Sequence, residues 1–303
     1  MSLLAVGPTA DPAGGLTYPE ALRRPGFYPF HSMFGILVAF SGFVILTQIV
    51  NVGVLWVGRL IRGGEWDTYV EQATSYRLLD GPLAGNLALA SLIPLSMLIV
   101  RVLHKVHPRW LASVQPGVRW RYLLLSIAVA LVALNGVLWL SFLAKGVPVF
   151  HSGQEGWPAF AVAILLTSPL QAAAEEVFFR GYLMQAIGSA TGRAWVGVVG
   201  SAVLFALLHG AQNPALFAHR LAFGLIAGAL VVATGGLEAA IGAHIVNNLA
   251  AYGYAMFTSS IAELKAVEAI SWADAGWDIA GFTVFAVAAW WLGRRLKVAT
   301  RTP

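Results

Sequence analysis

The stretch from Phe160 to Ile187, FAVAILLTSPLQAAAEEVFFRGYLMQAI, decides the fold. It exceeds the roughly 20 apolar residues that a helix needs to cross about 30 Å of hydrocarbon. Yet it carries Glu175, Glu176 and Arg180. A charge near the bilayer centre costs about 2.5 to 3.5 kcal/mol on insertion scales, so ionisable residues there mark functional sites by default. At helical spacing Glu176 and Arg180 are i,i+4 neighbours with the acid N-terminal to the base, the order an ion pair prefers. Glu175 lies about 100° round the helix, without a local partner. A spare carboxylate in a dry site is what a general base requires.

Working outward, the 303 residues are 58% hydrophobic and 11% charged, against about 25% charged in an ordinary soluble domain. Further apolar runs fall near 33–57, 83–101, 121–144, 194–210, 215–234, 237–257 and 279–296. They predict an all-α, polytopic membrane helical bundle of about eight transmembrane helices. Period-2 alternation is absent, which disfavours a barrel. The absence of cysteine excludes disulfides and thiolate metal sites. Arg23, Arg24, Arg101, Lys105, Arg109, Arg119, Arg121, Arg193, Arg294, Arg295, Lys297 and Arg301 are twelve of the 19 basic residues and fall on one side of an even number of spans. The positive-inside rule then predicts an integral membrane protein with both termini cytoplasmic, and the net charge of +5 needs no nucleic-acid partner.

Four segments are expected. Residues 1–30 form a disordered or interfacial tail, 31–155 the N-terminal transmembrane helices, 156–257 a catalytic core, and 258–303 the last transmembrane helix with a basic tail. Trp66, Trp110 and Trp120 are expected to anchor interfacial connections. Pro169 is expected to kink its helix. Gly224 and Gly228 form a GxxxG pair suited to close helix packing.

Further polar positions fall in predicted spans. Phe205-Ala-Leu-Leu-His209 places a histidine one turn beyond a phenylalanine, and His244-Ile-Val-Asn-Asn248 places a histidine and an asparagine on one helix face. At 1.5 Å per residue from the neighbouring turns, Glu175 stands at about 20 Å, His209 at about 24 Å, His244 at about 12 Å and Asn248 at about 18 Å. These depths converge near the middle of the bilayer. His219 and Arg220 are ambiguous, while His31, His104, His107 and His151 lie outside the predicted chemistry.

Glu175-Glu176-x-x-x-Arg180, Phe205-x-x-x-His209 and His244-x-x-x-Asn248, in that order on successive apolar segments, resemble the three motifs of the CaaX protease and bacteriocin-processing (CPBP) family of intramembrane proteases. The resemblance covers roughly residues 155–255. It implies hydrolysis of a peptide bond in a membrane-embedded or lipid-anchored, CaaX-like substrate. Glu175 and His209 would activate water, His244 and Asn248 would stabilise the oxyanion, and Glu176, Arg180 and Phe205 would support them. Family members are commonly labelled metalloproteases, and a catalytic zinc would draw on Glu175, His209 and His244, a ligand set that leaves a position for water. No His-Glu-x-x-His helix is present. Asn248 is a poor zinc ligand and a good oxyanion donor, which weighs toward the metal-independent form. A non-catalytic scaffold or immunity protein and a secondary transporter stay open as rivals. The absence of a repeat between the two halves disfavours the transporter.

Overall fold

The computed structural model describes residues 9–303, and the described residues contain helices and no strands. The long elements are α1 (Pro29–Arg62), α2 (Trp66–Thr74), α3 (Asp80–Ala90), α4 (Leu92–Val102), α5 (Trp120–Lys145), α6 (Trp157–Glu175), a π-helical segment (Glu176–Leu183), α7 (Met184–Thr191), α8 (Ala194–Leu207), α9 (Pro214–Thr234) and α10 (Glu238–Thr258). A short α11 (Ile261–Lys265) precedes α12 (Trp272–Arg295). Each of the eight predicted apolar runs is helical. Six stretches are long and apolar enough to cross a membrane, with α3–α4 and α6–α7 each counted as one. The protein is an integral membrane protein. The two remaining runs differ for physical reasons: α8 has 14 residues, about 21 Å of helix, and α10 carries Glu238, His244, Asn247 and Asn248 in its 21.

The chain passes back and forth between two ends of the bundle. At the first end the N-terminal segment, the connection 103–119, the turns after α7 and α9, and the C-terminal residues meet. Arg23 donates to the Ser189 carbonyl at 2.8 Å, Arg24 to that of His104 at 2.6 Å and Arg301 to that of Gly15 at 2.7 Å. The described N-terminal segment and the C-terminal residues therefore lie at one end. At the second end the connections 63–79, 146–156, 208–213 and 259–271 gather; the Asn213 amide N–H, for example, donates to the Glu268 carbonyl at 2.8 Å. Residues 9–28, expected as part of a disordered or interfacial tail, are instead docked, because Tyr18, Ala21 and Leu22 are fully buried. Trp110 is likewise no interfacial anchor. It is buried beneath this segment and donates to Asp11 at 2.9 Å. Residues 1–8 of that tail lie outside the described residues.

Arg119 fastens the first end. Its guanidinium donates to both Glu238 carboxylate oxygens, at 2.9 and 2.6 Å, and to the carbonyls of Thr234 and Ala299. The start of α5, the turn between α9 and α10, and the C-terminal tail are thus held by one bidentate pair. Bidentate geometry is what makes an Arg–carboxylate contact specific as well as strong. Between α8 and α9 the backbones approach through the predicted glycine pair. A Cβ on Gly224 would stand 2.8 Å from that of Ala202, and one on Gly228 would stand 2.9 Å from Val198.

His104, just beyond α4, is buried with Nε2 3.1 Å from the Tyr182 hydroxyl, and burial pushes its pKa down to about 3. The unfolded chain takes up that proton near pH 6.5 while the folded chain stays neutral until about pH 3. Stability is therefore lost as pH falls between those values, by at most about 1.4 kcal/mol per pH unit. The melting temperature in detergent should drop through this window, and His104→Gln should flatten the drop. An equally steep acid profile in that variant would rule His104 out as its source.

Candidate active site

Helix α6 runs through Pro169 to Glu175, and beyond it the backbone hydrogen bonds widen to the i→i+5 pattern across Glu176–Leu183. The irregularity in this span thus begins at the glutamates. Single π-type turns inside α-helices are frequent at functional sites. Every residue of the segment except Val177 is buried.

Glu176 is the hub. Its Oε1 accepts from Arg180 Nη1 at 3.1 Å and from His244 Nδ1 at 2.8 Å. The predicted i,i+4 ion pair is present, and both partners are completely buried. Arg180 makes no other hydrogen bond through Nε or Nη2. Its guanidinium carbon instead lies 4.1 Å from the Phe205 ring centroid and 5.1 Å from that of Phe223. Two aromatic faces thereby replace the water that a charged guanidinium would otherwise hold, a contact worth about 2 kcal/mol when desolvated.

The bond to Glu176 also fixes the His244 imidazole. With Nδ1–H donated to the carboxylate, Nε2 is the free nitrogen, and it lies 3.5 Å from Glu175 Oε2. Glu175, with no partner on its own helix, finds one across the bundle on α10. Asn248, one turn beyond His244, donates from Nδ2 to Gln171 Oε1 at 2.9 Å, and Gln171 sits one turn before Glu175 on α6. Two cross-helix contacts, Glu175 to His244 and Gln171 to Asn248, thus stack along the α6–α10 seam.

His209 follows the end of α8 and is exposed. Its Nδ1 is 2.6 Å from the Phe205 carbonyl, and its ring packs edge-on to Phe205 with centroids 4.3 Å apart. Phe205 is also 6.3 Å from the His244 ring, so it neighbours both imidazoles. His209 makes no direct contact with Glu175. Arg220 reaches its carbonyl at 3.3 Å and Gln212 at 2.8 Å, bracing the connection that carries it. His219 points elsewhere, stacking on Phe282 with Nε2 3.6 Å from Asp278.

The structure therefore brings Glu175, Glu176, Arg180, Phe205, His244 and Asn248 together and sets His209 at their edge. Gln171 and Phe223 are additional members. Gln171 carried a readable signal, a polar residue one turn from Glu175 in an apolar run. Phe223 carried none. Among the described residues no group of three His, Asp or Glu side chains is placed to hold a metal ion.

Comparison with known proteins agrees with the motifs. The family described as type II CAAX prenyl endopeptidase Rce1-like matches residues 157–250, which hold every residue of the site. Over 241 residues the chain is 30% identical to an uncharacterized protein of Bacillus subtilis, YyaK, across 74% of this chain and 75% of that protein. No solved structure matches. The chain belongs to the Rce1-like family, a family of membrane proteases.

Arg180→Ala should leave Glu176 as a buried carboxylate with only the histidine to answer it. Breaking a buried pair from one side costs about 3 to 5 kcal/mol. The variant should melt well below the wild type in detergent, and Arg180→Lys should recover only part of the difference. An unchanged melting profile for Arg180→Ala would show that the pair carries no stability.

Proposed function

We propose that the protein is an intramembrane endopeptidase that hydrolyses a peptide bond in a membrane-embedded or lipid-anchored, CaaX-like substrate. The observation that carries this reading is the position of His244, whose two ring nitrogens face Glu175 at 3.5 Å and Glu176 at 2.8 Å. One carboxylate orients the imidazole and the other is left free beside it. That division of labour is how hydrolytic sites pair a reacting group with an orienting one.

In the proposed reaction Glu175 is the base. It takes a proton from a water held between itself and His209, and the resulting hydroxide attacks the scissile carbonyl. His209 moves the proton to the departing amine. Its present distance from Glu175 agrees with the general behaviour of sites without substrate, where catalytic hydrogen bonds are long and tighten on binding. His244 and Asn248 supply the oxyanion donors. Asn248 spends one amide hydrogen on Gln171 and keeps the other free. His244 contributes through Nε2, the ring nitrogen that Glu176 leaves unengaged. Glu176, Arg180 and Phe205 hold this arrangement in place.

Glu175→Gln should lower cleavage of a lipid-anchored peptide by the purified protein by at least about 10²-fold, the lower range of general acid–base contributions, with expression and melting unchanged. Near wild-type turnover would remove Glu175 as the base. Asn248→Ala should lower kcat by about 10² to 10³ with little effect on KM, as for a lost oxyanion donor. A defect confined to KM would move Asn248 into substrate binding.

The proposed chemistry needs no metal, since Glu175 and His209 hold the water directly. Activity should persist after exhaustive chelation. Stoichiometric zinc in the purified protein, with activity lost on its removal and restored on its return, would overturn the metal-independent route.

A further inference from the structure

We infer that the protein binds an anionic phospholipid, with one acyl chain lodged behind the helix that carries Glu175 and Glu176 and the headgroup held by Arg101, His107 and Arg109.

A cavity of about 650 Å³ lies at the first end of the bundle. That volume falls within the roughly 300–1,000 Å³ of sites that bind small molecules. Its back wall is α10 together with the run from α6 into the π-helical segment, its side walls are α4 and α5, and the connection 103–119 roofs it. Helices α4 and α5 share no packed interface, so the gap between them is the mouth. Met97 and Trp120, one on each side of that gap, are exposed. Within residues 171–186 every position is buried except Ala173 and Val177, and both of these line the cavity.

The lining is apolar in its depth and basic at its mouth. Ile93, Met97 and Arg101 recur at i, i+4 and i+8 on α4, and Leu237, Ile241 and Ile245 do the same on α10. Ile93 therefore lies about 12 Å deeper than Arg101 along the helix axis, which leaves that depth for a hydrocarbon chain below a headgroup. An apolar hollow stays dry. Left empty, it forfeits the dispersion contacts of its walls. In a bilayer the filler at hand is an acyl chain.

Charge selects the headgroup. The one carboxylate in the lining, Glu238, is neutralised by Arg119 at 2.6 Å. Arg109 is shared with Asp11 at 3.2 Å, and among the described residues Arg101 pairs with no carboxylate. Both arginines and His107 are exposed. Basic pockets between membrane helices recognise anionic headgroups. Position separates this lipid from a substrate's own anchor. Ala173 and Val177 are each two residues from Glu175, on nearly the opposite face of the helix, so a chain seated against them lies behind the carboxylate.

The full-length protein, purified in detergent, would be titrated with phosphatidylglycerol or phosphatidylcholine carrying identical oleoyl chains. Bound lipid would be counted by native mass spectrometry, with the melting temperature as a second readout. One phosphatidylglycerol should be retained per chain and should raise the melting temperature, with phosphatidylcholine at least about tenfold weaker. Arg101→Gln should weaken phosphatidylglycerol about fivefold, the share of one basic residue near an anionic surface. Met97→Trp, which fills the mouth, should abolish retention, while Arg294→Gln, at the same end but outside the cavity, should change nothing. Equal affinity for the two lipids, an equal loss in Arg294→Gln, or unaltered retention in Met97→Trp would each overturn the inference. Binding of a prenylated peptide in preference to either phospholipid would give the cavity to a substrate anchor and overturn it as well. No readout depends on turnover, so a failed protease reading leaves the lipid site standing, and a failed lipid site leaves that reading standing.

Discussion

A carboxylate that is completely removed from water, Glu176, sets the terms for the rest of the structure. Desolvating an ion costs several kcal/mol, and attraction offsets this only when the geometry is good and further hydrogen bonds are made. Here Oε1 takes both available donors, Arg180 from its own helix and His244 from α10. Arg180 in turn is desolvated and lies against Phe205 of α8 and Phe223 of α9. One buried charge therefore specifies how four elements meet: the π-helical segment, α8, α9 and α10. Generic apolar packing in lipid gives little directional information, because lipid tails are as apolar as leucine.

The same constraint prepares the proposed chemistry. An imidazole held at Nδ1 by a carboxylate has one tautomer and one ring orientation, and its remaining nitrogen is aimed. Glu175 stands at that nitrogen. The two glutamates, adjacent in sequence, have thereby been given different environments: one is engaged by an arginine and a histidine, and the other meets only the far side of the imidazole at 3.5 Å. At one end of the bundle the Arg119–Glu238 lock ties the start of α5 to the turn between α9 and α10; α8 stops at Leu207 after 14 residues.

Much of this was legible in the residues, and the reasons differ from case to case. The all-α membrane architecture followed from apolar length and the lack of alternation, both properties of the chain alone. So did the Glu176–Arg180 pair, because i,i+4 neighbours are set by helix geometry even across a π-helical segment, and the close approach at Gly224 and Gly228, because small residues four apart permit it. The Rce1-like motifs were readable because their residues recur at fixed spacing on successive apolar runs.

Only the tertiary structure decided which histidine faces which carboxylate. Depth arithmetic set Glu175 against His209, since both stood some 20 Å or more above their shared turn. The rotation of α10 about its own axis brings His244 to the two glutamates instead, and spacing along a chain carries no information about rotation between helices. The docked N-terminal segment was unreadable for a related reason: its partners, Leu111, Ser189 and Thr302, are distant in sequence. Gln171 and Phe223 became members of the site only when α6, α9 and α10 were packed together. Sequence determined which elements exist and which charges must find partners, because those are local or compositional facts. Packing decided the partners, because a buried charge accepts only the donors that the fold delivers.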